Sequence, residues 1–197
     1  MFYGRYYNAK NVINTLKYRY YIKLKYLNVE IGKNIKIIGR MFISFHCDTK
    51  INIGNNVVFR AASHSDLGFY KPISITVLKN AELLVGDNSG FTGTAIYVSK
   101  KIVIGKYCNF GGNTTIWDTD FHPVEFKGRR NHDETKIKSA PVIIGDNVFV
   151  GANSMILKGV TIGDRAIIGA GSIVFKDIPA DEIWTGNPAK FLTKIVN

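Results

Sequence analysis

Residues 144–173 read as five consecutive hexads: IGDNVF, VGANSM, ILKGVT, IGDRAI and IGAGSI. Position one is aliphatic throughout (Ile144, Val150, Ile156, Ile162, Ile168), and Val174 continues the series. Position two is Gly145, Gly151, Leu157, Gly163 and Gly169; position five is Val148, Ser154, Val160, Ala166 and Ser172. A sixth, degraded hexad covers 174–179, with Phe175 in place of the corner glycine and Ile178 at position five. A period of six is neither the helical period nor simple strand alternation. Three short faces of six residues close one turn of a coil. The position-one side chain then points inward, so Ile144 stacks on Ile162 and Val150 on Ile168 at about 4.8 Å, the inter-strand spacing. Small residues at positions two and five let the chain turn at the corners. No single turn buries its own inner face, so stability comes from stacking several.

Upstream, the same aliphatic-glycine pair recurs as Ile31-Gly32, Ile53-Gly54, Val85-Gly86 and Ile104-Gly105. No helical period appears between 29 and 178. The reading is all-β: a parallel β-helix over 29–179, a helical segment within 1–28, and a tail over 180–197. Two polar stretches interrupt the coil, 60–72 with His64 and 117–141 with His122, Arg129, Arg130 and His132. The second forms a protruding loop. Long loops on a regular scaffold are where function concentrates.

Before the coil, Val12, Leu16, Tyr20, Leu24 and Leu27 form an apolar stripe on a helix over 9–27, with Lys10, Lys17 and Lys25 off it. Residues 1–40 carry nine Lys or Arg against one acid, so most of the net charge of +11 sits there, and seven of the ten tyrosines precede residue 28. Such a helix either caps the open end of a solenoid or lies on an anionic membrane surface. The uneven charge does not describe a nucleic-acid surface. No run of about 18 apolar residues and no secretory signal is present. Cys47 and Cys108 lack CxxC spacing and read as reduced thiols. The expected compartment is the cytoplasm, with the basic segment able to approach the inner face of the membrane.

For chemistry, His122 stands out. A neutral imidazole near pH 7 can take the proton of an alcohol that attacks a thioester. Asp118 and Asp120 are close in sequence, and either could fix the ring's tautomer as a carboxylate does in a triad. Arg129-Arg130-Asn131-His132 is a cationic patch suited to an acidic sugar or phosphate. His64 could line an acceptor pocket. Neither GxxxxGK[ST] nor GxGxxG occurs, and no metal is expected.

The chain resembles the hexapeptide-repeat acyltransferases over roughly 80–192, in particular the galactoside, maltose and sugar or polysaccharide O-acetyltransferases. The resemblance rests on Asp120-Phe121-His122-Pro123, on the run from Pro141 to Gly151, on Gly159-Val160-Thr161-Ile162-Gly163, on 168–179, and on Gly186-Asn187-Pro188-Ala189-Lys190. It implies a left-handed coil, a homotrimer with sites shared between subunits, and His122 as the base in direct acetyl transfer from acetyl-CoA to a sugar hydroxyl. It places donor contacts at Phe149, Ala152, Ala170, Lys176 and Lys190, and an acceptor-side asparagine at Asn113. The family often has Trp at Phe149, Ser at Ala152 and Arg at Lys190. Lysine keeps the charge without the bidentate fork. The other readings are N-acetylation of a nucleotide-linked amino sugar, xenobiotic acetylation, a γ-type carbonic anhydrase, which needs three converging histidines, and a non-enzymatic β-helix adaptor at a membrane surface.

Overall fold

The position-one residues do stack: Ile144 pairs with Ile162, Val150 with Ile168 and Ile156 with Val174, each across a parallel ladder. The computed structural model describes residues 15–18, 22, 28–46, 48–61, 68 and 71–196. Within these, three parallel sheets wrap into a triangular coil. The first face stacks Val29–Ile31, Lys50–Ile53, Glu82–Val85, Lys101–Ile104, Val142–Ile144 and Thr161–Ile162. The second stacks Lys36–Ile38, Val58–Arg60, Gly90–Thr92, Asn109–Phe110, Phe149–Val150 and Ile167–Ile168. The third runs from Met41–Phe45 through Ile73–Val77, Ala95–Val98, Thr115–Trp117 and Met155–Ile156 to Ile173–Val174. After residue 179 the chain adds to the second face: Glu182–Thr185 pairs parallel with Ile167–Ile168, and Lys190–Lys194 folds back antiparallel.

The interior is a set of aliphatic columns. On the second face it holds a stack of rings, Phe59 to Phe91 to Phe110, with centroids 5.1 and 4.8 Å apart. Position-five residues are also buried, from Val148 at the first hexad to Ile178 at the last. They fill the inside of the corners.

The corner glycines act differently from the sequence expectation. None of Gly86, Gly105 and Gly145 has a positive φ. Their constraint is clearance between turns: a Cβ on Gly86 would lie 2.5 Å from the Gly105 carbonyl carbon. The left-handed turn falls instead at position four, on Asn147, Asn153, Gly159, Arg165 and Gly171. Asparagine tolerates that conformation; Arg165 adopts it because the stacked turns impose it. Where the residue after a corner glycine is Asn or Asp, it ties turns together. Asn55, Asp146 and Asp164 each accept a backbone N–H from the turn before, at 2.7–2.8 Å.

Most of the N-terminal helix and its membrane reading lie outside the described residues. The described part shows which side meets the coil. Ile22 and Thr15 are buried, Thr15 Oγ1 accepts from Ile37 N, and Tyr18 Oη donates to Met41 O. Leu16, placed on the packed stripe by its spacing, is 62% exposed. The face that docks is Thr15, Tyr18 and Ile22, and two of its members are polar, so the apolar pattern does not mark it. No helix among the described residues is long and apolar enough to cross a membrane. Cys108 is a free, buried cysteine; Cys47 is outside the described residues.

Candidate functional site

The long loop leaves the coil at the edge between the third and first faces. Its neck is zipped: Ala140 N donates to Asp118 O, Thr119 bridges Ser139, and Asp120 N donates to Lys138 O. Phe121 then turns the chain with φ +61. Its ring packs edge-on to Trp117 at 5.0 Å and tilted against Tyr97 at 4.7 Å. His122 follows and is exposed, while Pro123 is buried.

Beyond His122 the loop buttresses itself. A short helix, Phe126–Arg130, packs Gly128 against Pro123, where an added Cβ would lie 2.8 Å from the proline Cβ. This helix, and the 3-10 turn Glu134–Lys136, have too few residues to show a period in the sequence. The Arg129 guanidinium donates to the carbonyls of Pro123 and Val124. Arg129 therefore braces the loop from within through Nη1. His132, exposed with φ +53, ends the same patch.

The two aspartates separate cleanly. Asp118 is fully buried, and its oxygens accept from Ser99 N (2.6 Å), Lys100 N (2.7 Å) and Lys101 N (2.7 Å). Its carboxylate closes the turn between the third and first faces, as Asp177 does for Thr161 N on the same edge. These bonds occupy both oxygens with backbone donors, and no hydrogen bond between Asp118 and His122 is present among the described residues. Asp120 Oδ1 meets Lys158 Nζ at 2.7 Å. Its Oδ2 is shielded from solvent and accepts no hydrogen bond among the described residues.

The residues expected to hold the donor, and the acceptor-side Asn113, sit elsewhere. Asn113, Ala152 and Ala170 lie in successive turns between the second and third faces. Asn113 Nδ2 donates to Asn153 Oδ1 at 2.8 Å, a rung-to-rung tie at the corner. Gly186 and Ala189 bond to Ser172 Oγ and Ile173 O, bringing the start of the last strand, Lys190, to that edge. Phe149 stands 47% exposed on the second face, between Asn109 and Ile167. Lys176 parts from this group: it follows the third face, beside the loop's edge, with Nζ 6.0 Å from the Phe175 ring centroid. His64 lies outside the described residues. One edge thus carries His122, Asp120 and Lys176, and another carries Asn113, Ala152, Ala170 and Lys190.

The sequence reading missed Tyr97, Ser99, Thr119, Glu134, Ser139 and Lys158, which surround the loop root. Only the pairing of Thr119 with Ser139 and the stacking of turns bring them together. Among the described residues no three His, Cys, Asp or Glu side chains converge as a metal site.

Residues 141–176 match the family described as hexapeptide repeat of succinyl-transferase. The galactoside O-acetyltransferase of Escherichia coli K12 is 30% identical over 172 residues, covering 87% of this chain and 66% of that protein. The polysialic acid O-acetyltransferase of Neisseria meningitidis is 30% identical, covering 66% and 51%. Across the curated relatives named here the chain spans about half to two thirds of their length. Among solved structures, a maltose O-acetyltransferase from Clostridium difficile 630 superposes with TM-score 0.60 at 26% identity, covering 92% of this chain and 76% of that one. A galactoside acetyltransferase in complex with coenzyme A superposes with TM-score 0.60 at 27% identity, covering 92% and 72%. The repeat, the stacked coil and these likenesses together place the chain in the hexapeptide-repeat family of left-handed parallel β-helices.

Proposed function

We propose that the chain is an acetyl-CoA-dependent O-acetyltransferase acting on a sugar hydroxyl, with His122 as general base. The observation that carries this reading is an exposed histidine held at the root of a braced loop, on a coil whose relatives are O-acetyltransferases and bind coenzyme A. In the reaction the imidazole of His122 takes the hydroxyl proton as the oxygen attacks the thioester carbonyl. The C–O bond forms, the C–S bond breaks, and the imidazolium returns the proton to the coenzyme A thiolate. Asp120 is the orienting carboxylate: Lys158 holds one oxygen, and the other is left to accept from the ring. The donor runs along the edge lined by Ala152 and Ala170, where small side chains leave room, with Lys190 near its phosphates.

Because His122 and the donor edge lie on different corners of one chain, the working unit is a homotrimer in which one chain's loop meets the next chain's donor edge. The test is thiol release from acetyl-CoA across a panel of neutral, acidic and amino sugars. His122→Ala is expected to lower kcat by about 10²–10⁴-fold, the usual contribution of a general base. Full activity in that variant, or activity confined to non-sugar acceptors, overturns the reading.

A further inference from the structure

A crevice of about 330 Å³ opens where the loop root meets the coil, lined by Leu78, Tyr97, Ser99, Thr119, Phe121, Glu134, Ile137 and Ser139. That is the lower end of the size range of small-molecule sites. Its chemistry is two-sided. Tyr97 and Phe121 supply half-buried ring surface. Opposite them runs a chain of hydroxyls: Ser139 Oγ lies 3.1 Å from Ser99 Oγ and 2.9 Å from Thr119 Oγ1. Three hydroxyls carry three protons, and two hydroxyl–hydroxyl bonds consume two of them. One donor and several lone pairs are left for a ligand. Burial first, and then the negative charges of Asp118 and Glu134, raise the Tyr97 phenol, which therefore stays protonated and can donate.

The lining contains no Lys or Arg. Three cations of the neighbouring loop and turn point to other partners: Arg129 donates to two carbonyls, Lys136 pairs with Glu125, and Lys158 with Asp120. Glu134 is the charged side chain of the lining, held on its 3-10 turn by the Asp133 cap. Ring faces for apolar C–H surface, hydroxyls for hydroxyls and no anion-binding group describe a site for an uncharged polyol.

We propose that this crevice is the acceptor's sugar subsite, holding one uncharged pyranose ring stacked on Phe121 and Tyr97 with its hydroxyls on Ser99, Thr119 and Glu134, and that Glu134 selects against acidic sugars. This rests on the acetyl-transfer reading and names its substrate class, in place of the acidic sugar that the Arg129 patch suggested.

The test uses the full chain with methyl glucopyranoside, methyl galactopyranoside and their uronic acid counterparts. Binding is read by saturation-transfer NMR, and transfer by thiol release from acetyl-CoA. The neutral glycosides are expected to bind and the uronates to bind at least tenfold more weakly. Phe121→Ala raises the acceptor Kd at least tenfold while acetyl-CoA affinity is unchanged. Glu134→Gln, an exposed position that leaves the thermal midpoint in place, narrows the neutral-to-acid preference about tenfold, equivalent to about 1.4 kcal/mol. Equal binding of uronates, no binding of any glycoside, or transfer that ignores both substitutions overturns the subsite. Glycoside binding that depends on Phe121 without any thiol release leaves the subsite standing and removes the acetyl-transfer reading.

Discussion

Asp118 is the position at which a structural and a catalytic role make opposite predictions. Its side chain is fully buried and accepts three backbone N–H groups at 2.6–2.7 Å. A hydrogen bond to a charged group contributes roughly 1.5–3 kcal/mol, and the three share one carboxylate, so they do not add in full. Asp118→Ala removes the acceptor and strands the amides of Ser99, Lys100 and Lys101. The expected loss is about 3–5 kcal/mol, since each buried donor left unsatisfied costs roughly 1–3 kcal/mol. Asp118→Asn keeps one oxygen but turns an NH₂ toward an amide donor, and about 2–3 kcal/mol is expected on the same grounds. The assay is urea unfolding followed by circular dichroism, read as a shift in midpoint at constant slope. The companion is Asp120→Asn, whose partly exposed pair with Lys158 contributes roughly 0–1 kcal/mol by the usual worth of such pairs. That variant should keep its midpoint and lose turnover. If Asp118→Ala unfolds within about 1 kcal/mol of the parent yet loses activity, the structural assignment is wrong and Asp118 belongs to the reaction.

Three further outcomes test the coil. Gly86→Ala drives a Cβ to 2.5 Å from the Gly105 carbonyl carbon, which cannot move without parting two turns; a loss of about 1–3 kcal/mol or more is expected in the same assay. Ile156→Ala empties a fully buried position between Ile116 and Val174 and should cost about 2–5 kcal/mol. For Cys108, burial pushes the thiol up to about 11 from 9.0. The unfolded thiol ionises first, so between about 9 and about 11 the unfolded state binds fewer protons and stability falls as pH rises. The contribution is intact below that window. Comparing unfolding midpoints at pH 8 and pH 10 should show a fall that Cys108→Ala lessens; an equal fall in both proteins refutes it.

The coil was legible because its rule is local: an aliphatic residue every sixth position sets which side chains face inward, and Ile144 finds Ile162 without reference to anything else. The reason for the glycines was not legible. Gly145 and Arg165 each obey a neighbouring turn, and a neighbouring turn is invisible to a reading of one hexad. The loop was harder for the same reason. His122 announced itself by its neighbours in the chain, but Asp118 and Asp120, two residues apart, look equivalent until the turn at Ser99 to Lys101 claims one of them. Arg129 reads as an anion contact in the sequence, and its bonds to the carbonyls of its own loop are visible only in the fold. The helix face failed because Thr15 and Tyr18 dock through hydrogen bonds, to which apolar periodicity is blind.

Under the proposed base and donor assignments, the two edges make one demand that a single chain does not meet. The loop root and the donor edge are separated by the third face, whose hexad of extended chain spans up to about 20 Å. A histidine side chain covers only a fraction of that, and the braces at the neck and at Arg129 hold the loop root against swinging across. Under the proposed trimer, each site combines the loop of one chain with the donor edge of the next. His122→Ala disables loops, and Ala152→Trp fills donor edges; each protein alone should be inactive. Unfolding and refolding an equal mixture draws chains at random. A site works when its loop comes from the Ala152→Trp chain and its edge from the His122→Ala chain, which holds for about a quarter of sites in a closed ring. Recovery to roughly that fraction of parental turnover is the expected result. No recovery, with mixed trimers demonstrated by mass, would mean that loop and donor edge meet within one chain.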